Sequence, residues 1–389
     1  MSVRRVFFWT HLVAGVCAGL VILLMSVTGV ALTYERQLLT WADSGYRSDA
    51  APGAVRVPLE TIVARLQRSM PGLQPSTVIV RSRPDAPVTV GLGARTLYVD
   101  AYSGRVVGEA SRTGIRAAMS RLREWHRWLG ASGEDRVTAR AITGWSNLVF
   151  LGLVCSGMYL WLPRRWTWQH VRSVATFRGG LRGKARDFNW HNVIGIWSAV
   201  PLFLVVLTAL PISFPWANEA VYRIVGEEPP PPPRPQASTS RPEQPRAVGV
   251  AGLDRAFERA AVQVKDWRSI TTRLPASAGG YVLTIDRGDG GQPHLRDTVT
   301  ISTSGRVVGF ESFAGQTLGR RLRLLSRFTH TGEVIGPIGQ AVAGVVSAGG
   351  AVLVWTGLAL AYRRFFKRRA VEDSAPYFVN SPHSSISEP

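Results

Sequence analysis

Seven histidines occur in the chain, and four of them stand at matched places. His11 precedes Gly15 by four residues and Thr28 by seventeen; His191 precedes Gly195 and Thr208 by the same intervals. His126, in "EWHRWLG", and His330, in "FTHTGEVIG", each stand just ahead of a long apolar run. A histidine in or beside a membrane span is costly and marks a functional site unless a structural hydrogen bond explains it. Four of them in two pairs, at two depths, fit ligation better than four separate structural roles. The chemistry open to two neutral imidazoles facing each other in an apolar slot is axial coordination of a planar macrocycle, that is, of haem. Facing helices of a bundle supply such a geometry. Gly15 and Gly195, one helical turn after His11 and His191, leave room for a flat ring, and Gly19 extends the line on the first helix. The competing reading of these glycines is close helix packing by small residues. His170, His294 and His383 have no repeat partner and read as loop or tail residues.

The elements that must hold these side chains are four runs long enough to cross a bilayer, which takes about 20 apolar residues. They cover about Val6–Leu32, Ile142–Leu162, Val193–Trp216 and Val334–Tyr362. The first is longer than a signal-peptide core and reads as an uncleaved anchor. Arg4 and Arg5, the loop with Arg164, Arg165, Arg172, Arg178, Arg182, Lys184 and Arg186, and the final "YRRFFKRR" all fall on one side if the spans alternate. That side is then cytoplasmic. Trp9, Trp161, Trp166, Trp190 and Trp216 lie near span ends, as interfacial belts do. One haem near each face would form an electron path through the bilayer.

The two long segments between spans repeat as well. "SGRVVG" stands at 103–108 and again at 304–309. In the first segment "PLETIVARLQRSM" has helical apolar spacing, and "STVIVRSR", "PVTVGLG" and "TLYVDAYSGRVVGEA" read as strands. In the second, after the polyproline-like linker "EEPPPPPRPQASTSRPEQPR", the order returns as helix "LDRAFERAAVQV" and strands "WRSITTRL", "GYVLTID" and "DTVTISTSGRVVGFES". The unit is span–module–span, duplicated in parallel orientation, which places a pseudo-axis along the membrane normal. His11 then faces His191 at the cytoplasmic end, and His126 faces His330 near the outer surface.

The reading divides the chain into a first span (1–34), a module (35–120), an interfacial helix with the second span (121–165) and a basic loop (166–190). A third span (191–216), the Pro-rich linker (217–249), a second module (250–320), a fourth span (321–366) and a tail (367–389) complete it. The fold class is a polytopic α-helical membrane protein with two small α+β modules outside.

The chain of 389 residues carries a net charge of +20, nearly all from Arg, since only Lys184, Lys265 and Lys367 are lysines. Much of that charge flanks the spans, so it reads as topology rather than nucleic-acid binding. Cys17 and Cys155, both inside apolar runs, read as small packing residues and argue against a disulfide framework. Arg127, Arg323 and Arg327 near the outer pair, and Arg4, Arg5 and Arg186 near the inner one, are available to haem propionates; headgroup contact is their plainer role. Excess Arg outside favours an anionic acceptor. No Gly-rich nucleotide loop, nucleophile–base arrangement or flavin fingerprint is present.

Together "WTHLVAGVCAGL", "EWHRWLG", "SGMYLWLPRR", "WHNVIGIW", "HTGEVIG" and "WTGLALAYRR" resemble the PepSY-associated transmembrane family, over nearly the whole chain except the linker and tail. The resemblance implies a four-span core with two b-type haems held by His11, His126, His191 and His330. It also implies periplasmic PepSY modules and a bacterial inner-membrane protein that reduces ferric siderophores or other ferric chelates. The electron donor, a quinol or a cytoplasmic reductase, is not named by the residues. Two other classes remain open: a membrane-anchored PepSY regulatory or binding protein, which needs no paired histidines, and a non-haem metal or proton pathway, which would want more intramembrane carboxylates.

Overall fold

The computed structural model describes residues 2–72, 74–93, 95–111, 113–162, 167–231, 249–276 and 280–366. Arg164, Arg165, Trp166, the side chain of His170, His383, most of the Pro-rich linker and the tail lie outside the described residues. Among the described residues four helices are long and apolar enough to span a bilayer: α1 (Val3–Leu32), α5 (Asp135–Trp161), α7 (Gly183–Ser213) and α11 (Gly336–Phe365). The protein is a multi-pass membrane protein. α5 and α7 begin well before their apolar runs, because polar first turns continue the helix to the membrane surface: "DRVTARA" in α5 and "GKARDFNW" in α7.

The four helices form a ring in which α1 packs on α5 and α11, and α7 packs on the same two. α1 and α7, the histidine-bearing spans, therefore sit on one diagonal. Close approach uses small residues: a Cβ at Gly19 would lie 3.3 Å from Leu358, and one at Gly350 would lie 3.2 Å from Ser26 Oγ. Gly19 is thus a helix-packing residue. Mid-bundle, Leu202, Val206 and Val346 form an apolar cluster with Phe150, Val154 and Leu353. Cys17 and Cys155 are exposed on the outer surface of the bundle, not packed inside it as expected from the sequence. In bilayer the same apolar character is satisfied by lipid.

The two modules meet edge to edge. Strands β1 (Pro75–Arg81), β2 (Val88–Leu92), β3 (Arg95–Val99) and β4 (Val106–Glu109) come from the first segment. Strands β5 (Ser269–Arg273), β6 (Tyr281–Asp286), β7 (Arg296–Ile301) and β8 (Val307–Ser312) come from the second. They make one eight-stranded antiparallel sheet in the order β4-β3-β2-β1-β5-β6-β7-β8. The seam is β1 against β5, with Val78 opposite Thr272 and Val80 opposite Ile270, so the buried faces of both modules coincide. Helices α3 (Leu59–Ser69) and α9 (Leu253–Gln263) cover that face. They share one core, in which Val63, Val78, Val90, Leu283, Ile285 and Val299 are fully buried. Each such side chain contributes about 1.5–3 kcal/mol on burial. Asp254 of α9 also accepts hydrogen bonds from the first backbone N–H groups of α3, at 2.5 Å from Leu59 N and 3.2 Å from Glu60 N. The carboxylate thereby caps the helix of the other half.

The two "SGRVVG" copies end in β4 and β8, the two outer strands of the sheet. Gly104 and Gly305 take positive φ of 70° and 87° in the preceding turns, which glycine adopts without a Cβ clash.

Short helices join the sheet to the bundle. They are α2 (Glu35–Ala42) and α4 (Gly114–Trp128) in the first half, and α8 (Pro215–Arg223) and α10 (Leu318–His330) in the second. α6 (Trp168–Ala175) lies at the opposite end, between α5 and α7. Tyr98 of β3 donates to Asp43 at 2.6 Å, and Arg116 of α4 bonds the same carboxylate at 2.5 Å. Arg296 of β7 lies over the Phe328 ring of α10. The sheet is thus tied to α4 and α10, the two helices that carry His126 and His330.

Candidate histidine sites at two levels of the bundle

His126 and His330 close α4 and α10 at the sheet-side end of the spans. Both helices are strongly amphipathic and lay their apolar faces on α1 and α7 respectively. The two rings face each other with centroids 6.4 Å apart and planes inclined by 46°. His11 sits in the first part of α1, and His191 in the first part of α7, both toward the opposite end.

Every one of the four rings is held through Nδ1. His11 Nδ1 lies 2.8 Å from Ser156 Oγ on α5, and His191 Nδ1 lies 3.0 Å from Thr356 Oγ1 on α11. His126 Nδ1 lies 3.0 Å from Thr28 Oγ1 on α1, and His330 Nδ1 lies 2.9 Å from the carbonyl of Val205 on α7. A carbonyl only accepts, so His330 carries its proton on Nδ1. The hydroxyls lead to the same tautomer. Ser156 donates to Gly152 O at 2.7 Å, Thr356 to Val352 O at 2.8 Å and Thr28 to Leu24 O at 2.7 Å. With its single proton committed, each hydroxyl accepts from imidazole Nδ1–H. In all four rings Nε2 therefore keeps its lone pair free, the state a metal ligand requires.

Burial reinforces the neutral form at the sheet-side pair. Desolvation, with the neighbouring His330 adding to it, pushes His126 down to about 4. Burial likewise lowers His330, although its bond to Val205 opposes the shift.

Glycines stand where the rings need space. A Cβ on Gly157 would lie 3.4 Å from His11 Cε1, one on Gly357 3.4 Å from His191 Cε1, and one on Gly29 3.5 Å from His126 Cε1. Gly15 and Gly195 face Leu153 and Leu353 at 3.9 and 3.7 Å, an ordinary contact distance with each unit's own second span. They do not touch the histidine rings directly, and the glycines against the rings are Gly157 and Gly357. The signal for these was the pair of strings "SGMYLWLPRR" and "TGLALAYRR": the Ser or Thr and the Gly that follows it are the hydroxyl and the gap of one site.

The arginines near the sites are mostly engaged. Arg4 donates to the carbonyls of Leu160 and Leu162 at the end of α5. Arg186 and Arg363 bind the buried carboxylate of Asp187. Arg323 bonds Asn218. Arg127 and Arg327 lie over the rings of Trp128 and Phe328. Burial, then the charges of Arg140, Arg123 and Arg327, lower the Arg127 guanidinium from its ordinary value. His294 is exposed in the β6–β7 connection, apart from both sites.

The family model of the PepSY-associated TM region matches residues 8–364, a stretch that holds all four histidines and the whole sheet. The chain belongs to this family. No curated protein matches it.

The residues of this PepSY-associated chain fit a haem at the sheet-side level. His126 and His330 would hold it, two buried imidazoles facing each other with centroids 6.4 Å apart. Both rings have Nδ1–H on a protein acceptor and leave Nε2 unprotonated, the donor chemistry haem iron takes. The other level has the same donor chemistry, with His11 and His191 on diagonal helices and a glycine against each ring.

Proposed function

We propose that this protein carries electrons across a bacterial inner membrane through two b-type haems and delivers them to a ferric siderophore or another ferric chelate. The observation that carries the reading is the common state of the four histidines. At both levels Nδ1–H is committed to a protein acceptor and Nε2 is left free.

Haem supplies one-electron chemistry through the ferric and ferrous states of its iron. The chain does the rest. His11 and His191 hold the group at one face, and His126 and His330 hold it at the other. The cluster of Leu202, Val206, Val346 and Leu353 keeps water out between them. The paired imidazoles, each with Nδ1–H on a protein acceptor, support haem over a non-haem metal pathway, which would want carboxylates in the spans.

Direction follows from charge. Arg4, Arg5, Arg172, Arg178, Arg182, Lys184, Arg186, Arg363 and Arg364 crowd the end of the bundle away from the sheet. By the positive-inside rule that end is cytoplasmic and the sheet is periplasmic. Electrons enter from a quinol or a cytoplasmic reductase and leave toward the sheet side, where a ferric ion accepts one electron and becomes ferrous.

The test is the visible spectrum of the purified protein, then its reaction. The expected result is a Soret band with b-type peaks at two haems per chain, and oxidation of the prereduced protein by a ferric siderophore. A colourless, folded preparation from haem-replete cells overturns the proposal and returns the chain to the class of anchored regulatory proteins. Haem without chelate reduction leaves a cytochrome with another acceptor and overturns the reductase assignment.

A further inference from the structure

The repeat equates Thr28 with Thr208, each seventeen residues after its histidine. The structure uses them differently. Both hydroxyls donate to the carbonyls four and three residues earlier, but Thr28 Oγ1 also accepts from His126, at 3.0 Å. His330 takes the Val205 carbonyl itself. The other level keeps the symmetry, with Ser156 and Thr356 in equivalent places. Three imidazoles therefore have a hydroxyl partner that substitution can remove, beside a backbone carbonyl at His126 (Met25) and His191 (Leu353), whereas the described partner of His330 is backbone alone.

We infer that Ser156, Thr356 and Thr28 are positioning residues that set the donor strength of His11, His191 and His126, and that Thr208 has no such role. The inference rests on the proposal that these histidines hold haem. An acceptor on Nδ1–H raises the electron density at Nε2. A more basic ligand favours the ferric over the ferrous ion, because ferric iron carries the larger charge. Losing the acceptor weakens that preference, so the midpoint potential rises. It also frees the ring to rotate, because the bond to the neighbouring helix fixed its plane.

The experiment is a potentiometric titration, followed optically, of the full-length haem-loaded protein and six variants: Thr28→Val, Thr208→Val, Ser156→Ala, Thr356→Val, Ser156→Thr and Thr356→Ser. Thr28→Val should raise the midpoint of one couple by about 59 mV, a fall of about tenfold in its ferric-to-ferrous ratio at a given potential. Ser156→Ala and Thr356→Val should raise the other couple by a similar factor. Thr208→Val should move neither. Ser156→Thr and Thr356→Ser, which keep the hydroxyl, should return the wild-type potentials. Loss of one haem from Thr28→Val with both retained in Thr208→Val supports the assignment equally. The inference is overturned if Thr28→Val and Thr208→Val behave alike, or if all variants leave both couples in place. Absence of haem from the wild-type protein would instead refute the proposed function.

Discussion

The two halves of this chain do the same thing with their histidines and different things around them. In each half, the first span carries a histidine whose Nδ1 meets a hydroxyl on that half's second span, with a glycine after the hydroxyl to clear the ring. Four residues before these histidines the halves part. His11 is preceded by Phe7, packed on Tyr159 at 4.8 Å, and His191 by Asp187, a carboxylate 3% exposed that holds Arg186 and Arg363. The sheet repeats the pattern: one hexapeptide ends in both outer strands, but the turns before it differ in length and chemistry. The duplication thus holds the imidazole geometry fixed while its supports diverge. The supports have only to satisfy local polar groups, whereas at the sheet-side level the two imidazoles face each other with centroids 6.4 Å apart.

The largest effect should come from breaking that meeting. If the pairs form between halves, His11→Ala and His191→Ala each remove the same haem equivalent, and the double variant removes no more. His126→Ala and His330→Ala should behave likewise for the second equivalent. Haem counted per chain by its reduced pyridine complex decides the matter. Loss of both equivalents from the His11/His191 double variant would break the comparison and place the pairs within halves.

Next in size is the inner support. Asp187→Ala leaves Arg363 at the membrane edge without its partner. Arg363 and Arg186 are 25% and 48% exposed, so the expected loss is about 1.5–3 kcal/mol, the range for hydrogen bonds to a charged group. Phe7→Ala, at the equivalent place, removes a side chain that is 42% exposed, and the expected loss is about 1 kcal/mol. Thermal unfolding of the purified protein in detergent should separate the two by several degrees. Equal losses would mean that the ion pair is only a surface contact.

Much of this was legible in the residues. Span number, the strand and helix order of each module and the four histidines all follow from apolar runs and period-2 or period-3.6 spacing, which are local signals. The β1–β5 seam was not legible, because two polar-faced strands with matching buried Val and Ile positions do not announce which edges join. Nor were the amphipathic α4 and α10 readable at their full length, since α4 begins at Gly114 and α10 at Leu318, ahead of any apolar run. The hydroxyls stood inside recognised repeat strings, yet a Ser or Thr in a span ordinarily bonds its own helix carbonyl, and only the structure shows that the same oxygen also receives a ring N–H. Gly15 and Gly195 were singled out by spacing along one helix, whereas the gap beside each ring is made by the neighbouring helix.

The smallest expected difference lies in the two sheet turns. Asp100 and Ser302 open them, each with its backbone N–H bonded to the carbonyl of the arginine that closes the turn. Asp100 accepts from Tyr102 N, Ser103 N, Ser103 Oγ and Asp49 N, at 2.6–3.0 Å. Ser302 Oγ accepts from Arg306 N at 3.1 Å and meets Ser304 Oγ at 2.8 Å. Asp100→Ala should therefore cost about 2–3 kcal/mol, and Ser302→Ala about 0.5–1 kcal/mol. Acid distinguishes them further. Burial alone would raise the Asp100 carboxyl, but the bonds from Ser103, Asp49 and Tyr102 outweigh it and hold it below its ordinary value. Between the unfolded value of about 3.9 and the lower folded one, the unfolded chain binds the extra proton. The stabilisation is thus complete above about pH 4 and lost as the pH falls through the folded value. The Asp100→Ala penalty, measured as the shift in unfolding midpoint, should shrink at pH 3 relative to pH 7, while that of Ser302→Ala stays constant. A penalty for Asp100→Ala that is the same at both pH values would show that the turn needs the shape of the side chain and not its charge.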